Sequence, residues 1–259
     1  MSAAAIQRRL RAPVKVSRTN VNGREVPVIL GAPLLWGSLA GLACALVALR
    51  VSGVELPFRV GAACGLVLTA LWVAGWWDDT KGDERARGFA GHLGAARRFE
   101  LTGGLVKLTV GAAAGLVAGI VVAKGVAVFE VGLLVALGAN TINLFDRAPG
   151  RAGKVALIGL LPLAAFGAAR WSVVGAGCIS ALVASLPSDL SERAMLGDAG
   201  ANPVGGVLGL GLAVSLPELW RVIAIVLLLA LNLASERWSF SRAIARVGFL
   251  SRLDRLGRR

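Results

Sequence analysis

Apolar residues run along this chain in long blocks, separated by short stretches that collect Asp, Asn, Gly, Arg and Lys. Eight blocks stand out, at 28–49, 58–77, 102–123, 126–143, 153–169, 172–187, 203–217 and 219–235. Most approach the roughly 17–25 residues that an α-helix needs to cross a bilayer. The blocks from 153 and from 203 are short, and read as tilted, re-entrant or broken. Glycine recurs at four-residue spacing within the blocks, as at Gly37/Gly41, Gly61/Gly65, Gly111/Gly115/Gly119 and Gly205/Gly209. That spacing lets helix backbones approach closely in lipid, and it would also suit a homodimer without selecting a face for one. The pattern predicts an all-α polytopic membrane protein with about eight transmembrane helices. Residues 1–27 form a basic N-terminal segment, 28–235 the transmembrane domain, and 236–259 a basic tail.

Composition agrees with the pattern. Of the 259 residues, 56% are apolar and only 17% charged, too few polar groups to cover a soluble domain of this size. The net charge of +13 could point to nucleic acid, but no recognition module accompanies it, and basic loops facing anionic lipid explain it better. Cys44, Cys64 and Cys178 all lie in apolar blocks without metal-ligand spacing, so they read as packing residues. The first 27 residues are basic and lack the apolar core of a signal peptide.

With eight spans, both termini and the loops 78–101, 144–152 and 188–202 share one side. All but five of the 28 Lys and Arg lie on or just inside that side, the exceptions being Arg50, Arg59, Lys124, Arg170 and Arg221. The positive-inside rule then makes this side cytoplasmic. The aspartates, which played no part in setting the orientation, fall on the same side. The tail repeats Phe240, Ile244, Val247, Leu250, Leu253 and Leu256 at helical spacing among arginines, as in an amphipathic helix lying on the inner leaflet.

Three loops carry candidate chemistry. In the first, Asp78-Asp79-Thr80-Lys81 follows an apolar block. Adjacent carboxylates at a helix end can ligate a hard cation while one stays free as a base, although a solvated helix terminus reads the same way. His92, the sole histidine, reads as a hydrogen-bonding loop group rather than a metal ligand or base. Lys107 sits inside the start of a block, where a charge is costly unless paired or snorkelling, and so becomes a site candidate with Lys81. In the second loop, Asn140, Asn143 and Asp146 or Arg147 share a helical face and need partners from neighbouring helices or a ligand. Arg147, Arg151 and Lys154 would suit phosphate. In the third, glycines surround Asp198 ahead of Asn202, where a helix N-terminus can meet an anion, as could a simple re-entry turn.

Taken together and in this order, Asp78-Asp79, Asn140-x-x-Asn143-x-x-Asp146 and Gly197-Asp198-x-Gly200-x-Asn202 resemble the polyprenyl-phosphate N-acetylhexosamine-1-phosphate transferases (glycosyltransferase family 4), which include the phospho-N-acetylmuramoyl-pentapeptide transferase of peptidoglycan synthesis. The stretch from Arg18 to Gly31 also looks like that family's first cytoplasmic segment, so the likeness spans roughly residues 15–215. It implies a Mg²⁺-dependent enzyme (Mn²⁺ being the other candidate ion) of the bacterial inner membrane, active at the cytoplasmic face. Such an enzyme moves a sugar-1-phosphate from a UDP-sugar to a polyprenyl phosphate and releases UMP, for envelope glycan synthesis. By the same likeness Asp78, Asp79 and Asp146 are catalytic, with Asp146 and Asp79 near the metal and Asp78 deprotonating or orienting the lipid phosphate. Asn140, Asn143, Arg147, Arg151, Lys81, Lys107, His92, Asp198 and Asn202 would bind substrate.

The chain also departs from the family. After Asp146 come Arg147-Ala148-Pro149-Gly150, so a second loop aspartate is absent, with Asp189 or Glu192 as candidate replacements. A three-histidine loop and two or three spans are missing too, which argues against a pentapeptide-bearing substrate. Two other classes therefore stay open. One is a non-catalytic relative that binds polyprenyl phosphate or a nucleotide sugar; the other is a transporter or scaffold whose carboxylates are structural.

Overall fold

The computed structural model describes residues 16–81 and 103–258, with side chains in the second stretch described from Thr109 onward. A short antiparallel hairpin, β1 (Ser17–Thr19) and β2 (Glu25–Pro27), precedes ten helices among the described residues. Eight of them correspond one for one to the apolar blocks. They are α1 (Gly31–Val51), α2 (Phe58–Lys81), α3 (Gly103–Val122), α4 (Ala127–Phe145), α5 (Arg151–Phe166), α6 (Ala169–Leu190), α7 (Asp198–Ser215) and α8 (Glu218–Arg237). Two short tail helices follow, α9 (Phe240–Arg246) and α10 (Gly248–Arg255). Among the described residues five helices, α1, α2, α4, α6 and α8, are long and apolar enough to cross a membrane. The outer surface suits one, because side chains such as Trp36, Phe129, Ile158, Phe166 and Leu219 stand exposed.

Helix α7 is the hub. It packs against α2 and α4 and is buried almost throughout, including Val204, Val207 and Leu210. Its glycines make this possible: a Cβ at Gly205 would stand 2.2 Å from the Gly138 carbonyl of α4, and one at Gly209 2.1 Å from that of Leu134. The α1–α6 pair meets in the same way at Gly41 and Gly177. These contacts fit the packing role of the four-residue glycine spacing. Helix α8, by contrast, has no buried residue and lies at the periphery against α4.

Helix ends differ from the sequence expectation in one useful respect. Helices α2, α6 and α7 extend further toward the loops than their apolar blocks do, so Asp78, Asp79, Asp189 and Asp198 are helical rather than in loops. Hydropathy cannot see these turns because they are polar or glycine-rich; they persist because their end groups find partners. Pro203, which reads as a helix start, lies inside α7 instead.

The tail also differs from a single surface helix. It breaks at Val247–Gly248, and its polar side folds back onto the 146–154 segment. Arg151, only 5% exposed, makes a two-pronged contact with Asp254 at 2.7 and 2.8 Å and also donates to Ser241. Lys154 donates to the Leu253 and Leu256 carbonyls, and Arg258 to that of Pro149. Phe240 stacks on Phe145. The opposite side of α10 leaves Phe249, Leu250 and Leu253 exposed, as is Leu256 just past its end.

Asp254→Ala is expected to release the tail, because removing one partner of a largely buried pair strands Arg151, at a cost of about 2–4 kcal/mol in docking. Trypsin cleavage at Arg252 and Arg255, followed by mass spectrometry, checks this. An unchanged cleavage rate would contradict it. Burial alone would raise the Asp254 carboxyl, but hydrogen bonds from Arg151 and the charges of Arg151 and Arg258 hold it below the usual carboxylate range. Its contribution to docking is therefore full above that range and is lost only as pH falls through the lowered value.

Candidate active site

The centre begins with Asp79, in the last turn of α2. Its side chain is 4% exposed, and its two oxygens accept the backbone N–H groups of Asp198 and Ala199 at 3.1 and 2.9 Å. A helix start leaves such N–H groups without intrahelical partners, and a carboxylate there also meets the positive end of the helix dipole. Asp79 thus caps α7 from another helix. Gly197 makes the approach possible: its φ is +64°, and a Cβ there would stand 2.8 Å from an Asp79 oxygen and 1.9 Å from Val28.

Arg18, on β1, enters the same space. Its guanidinium lies 2.9 Å from Asp79, 2.9 Å from Asp198 and 3.8 Å from Asp78. One cation therefore ties together carboxylates from α2 and α7. The hairpin is held in position from three sides. Val28 bridges to Met195, and Val21 N–H donates to the Arg147 carbonyl. Asn20, Asn22 and Arg24 all reach Glu192, which sits at φ +54°, a region that non-glycine residues rarely adopt. The hairpin is the part of the site that sequence reasoning passed over. Arg18 carries no motif of its own, and only its place at the start of the family-like stretch marked it.

Asp146 follows the last turn of α4 and is 5% exposed, with Oδ2 buried and lacking a hydrogen-bond partner. Burial raises its carboxyl to about 8; the charge of Asp189 adds to the rise, then that of Asp198, while Arg18 opposes it. Asp189, at the end of α6, is 3% exposed and likewise has a buried Oδ2 without a partner. Of the two candidate replacements for the absent loop aspartate, Asp189 accepts the Gly150 N–H of the loop that Asp146 opens, and Glu192 belongs to the hairpin. Asp78 is the most open of the central acids, its side chain 14% exposed.

The remaining candidates scatter. Asn202 is buried on α7 near its start. Asn143 is half-buried, and its carbonyl receives the Asp146 N–H at 3.0 Å. Asn140 turns to a neighbouring helix, hydrogen-bonding Asn232 of α8, which also donates to Thr141 at 2.8 Å. Lys81 lies over the Trp77 ring, 4.3 Å from its centre. Arg151 and Lys154 are engaged by the tail, whereas Arg147 is exposed and makes no ion pair among the described residues. His92 and the Lys107 side chain lie outside the described residues.

Among the described residues, no three acidic, histidine or cysteine side chains come together as a metal cage. Mg²⁺ does not need one, since it is commonly held by one or two carboxylates and completed by water and substrate phosphates. The partnerless Oδ2 of Asp146 fits such a role. Compared with known protein families and with curated proteins, the chain matches none.

Proposed function

We propose that this protein transfers a sugar-1-phosphate from a UDP-sugar to a polyprenyl phosphate at the cytoplasmic face of a bacterial inner membrane, as an eight-span enzyme with both termini inside. The observation that carries the reading is the convergence of the helix ends. Asp78 and Asp79 from α2 and Asp198 from α7 meet on Arg18, and the Asp146 carboxyl responds to the charges of Asp79, Asp198 and Arg18. Carboxylates far apart in sequence thus share one centre, in the order that the family resemblance requires.

In this reaction an oxygen of the lipid phosphate attacks the sugar-bearing phosphorus of the UDP-sugar. A new P–O bond forms, the bond from that phosphorus to the bridging oxygen breaks, and UMP leaves with the electron pair. A bound Mg²⁺ or Mn²⁺ would supply charge neutralisation between the like-charged reactants. Asp146 would hold it. Asp78, the most open of the acids, would accept a proton from the lipid phosphate or orient it. Asp79 has both oxygens engaged by α7, so it acts as a positioning residue that fixes Asp198 and Arg18. The exposed Arg147 is the cation best placed to meet a phosphate.

A non-catalytic relative that binds the lipid phosphate or nucleotide sugar is the second reading. It is favoured by the internal pairing of Arg18 and Arg151, two cations that could otherwise face phosphate. Purified protein supplied with undecaprenyl phosphate, Mg²⁺ and a panel of UDP-sugars separates the two. The transferase predicts UMP release that stops when EDTA is added. Silence across the panel from protein that binds the lipid phosphate would favour the non-catalytic reading, and absence of both would leave a transporter or scaffold.

A further inference from the structure

We infer that Asp146 and Asp189 together form a divalent-cation site in which Asp189 is the second carboxylate, an assignment that rests on the metal-dependent reading above. The two residues end different helices, Asp146 following α4 and Asp189 in the last turn of α6. Both side chains are more than nine-tenths buried, and each keeps one carboxylate oxygen, Oδ2, that is buried and accepts no hydrogen bond. Buried polar atoms are almost always satisfied, so these two call for a partner, and an ion is one such partner.

Electrostatics points to a cation. The loop that Asp146 opens is tied to Asp189, whose carboxylate accepts the backbone N–H of Gly150, four residues after Asp146. Asp146 sits at the negative end of α4, which disfavours an anion further, while Asp189 lies between the negative end of α6 and the positive start of α5. Two buried carboxylates in one region are held there at a cost unless positive charge lies between them. Among the described residues neither makes an ion pair with Arg or Lys. Arg18 is committed to Asp79 and Asp198; Arg258 and Lys154 act on Asp189 by charge, but Arg258 pairs with Asp254 and Lys154 is held by tail carbonyls.

Space and access fit an ion as well. A small cavity of about 10 Å³ borders Asp189 but not Asp146, lined also by Asn20, Ala148, Pro149 and Glu192. That is about the room one water needs, so a coordinated water can reach the carboxylate from the hairpin side. Gly150, with φ +65°, turns the chain beside Asp189, and a Cβ there would meet Leu190 at 2.3 Å. The turn that brings the two helix ends together therefore demands glycine. Two carboxylates with water and phosphate oxygens make a hard-oxygen donor set, suited to Mg²⁺ or Mn²⁺.

The test uses the full chain in nanodiscs and Mn²⁺ as probe, with free ion counted by electron paramagnetic resonance. Wild-type protein is expected to bind one Mn²⁺. Asp189→Asn should weaken binding at least tenfold, by the loss of one charged ligand, while Glu218→Gln, at an exposed acid at the start of α8, leaves it unchanged. Asp189→Cys provides a second route that does not depend on the folding of the amide variant. A thiolate at this position should shift preference from Mn²⁺ to Cd²⁺, judged against wild type because Cys44, Cys64 and Cys178 are present in both. Undiminished Mn²⁺ binding in Asp189→Asn with no Cd²⁺ preference in Asp189→Cys would overturn the assignment and leave the transferase reading intact. No Mn²⁺ binding by wild type, with or without UDP, would overturn both the site and the metal dependence, and would leave the pair joined by a proton.

Discussion

Asp79→Ala is expected to loosen the junction of α2 and α7 and lower the thermal stability of the whole protein, not only its activity. The substitution removes the acceptor for two backbone N–H groups at the start of α7. Loss of a helix cap costs about 0.5–2 kcal/mol. It also removes one of the two closest carboxylates from Arg18. Breaking a buried ion pair costs about 3–5 kcal/mol, but Arg18 is 36% exposed, so solvent reduces that share substantially. A total of about 2–4 kcal/mol follows. Asp79→Asn is nearly as damaging, because one of its two side-chain ends is an NH₂ group that would face an N–H donor. Unfolding midpoints in detergent, at one scan rate, measure both variants against wild type. An unchanged midpoint would mean that Asp79 does not cap α7. The companion substitution Asp78→Asn, at the more open neighbour, should leave the midpoint almost in place. The adjacent acids would then be separated into one that builds the site and one that faces what binds there.

This division was not legible in the sequence, although the pair itself was. Asp78 and Asp79 occur together after an apolar block, and nothing in their order says which one will turn toward α7. The apolar blocks foretold each of the eight long helices because a run of Leu, Val, Ala and Gly needs a lipid or protein surface along its whole length. They did not foretell the last turn of α2 or the first of α7, where polar and glycine-rich residues carry the helix on, supported by a contact between segments more than a hundred residues apart. Arg18 was marked only as the start of the family-like stretch, and its role was not legible: its partners are Asp79 and Asp198, and no local pattern marks a residue whose role is to bridge. The tail was half legible. Its apolar periodicity showed the face that stays exposed, while the Asp254–Arg151 contact joins residues whose sequence neighbourhoods look like ordinary basic loops. Asn140 shows the opposite limit: helical spacing put it on a face with Asn143 and Asp146, but Asn232 on α8 satisfies it first.

Asp146→Asn is expected to do something a merely structural residue cannot, which is to cut turnover steeply while leaving the metal-free protein as stable as wild type or more so. Burial raises the Asp146 carboxyl from the ordinary value of 3.8 to about 8, with Asp189 and Asp198 adding to the rise. Between those two values the folded protein binds the proton more tightly than the unfolded chain does. Its stabilising contribution is therefore full below the ordinary carboxylate range and is lost as pH rises toward 8. Asparagine carries no titrating proton, so the variant should lack this decline, and its unfolding midpoint should exceed that of wild type most clearly at the alkaline end. Added Mn²⁺ should restore the wild-type midpoint at that end, because an ion takes over the proton's role, and should do little for Asp146→Asn. UMP release should fall by about 10²–10³-fold, the scale on which loss of a single preorganised electrostatic contact to the transition state is felt. The two measurements bear on each other. A variant that is both unstable and inactive would show only that the residue holds the fold. One that is stable and still active would remove Asp146 from the chemistry. Only stability kept with turnover lost assigns the buried carboxylate to the reaction, since a charge held at such a cost to the fold is then explained by what it does for the substrate.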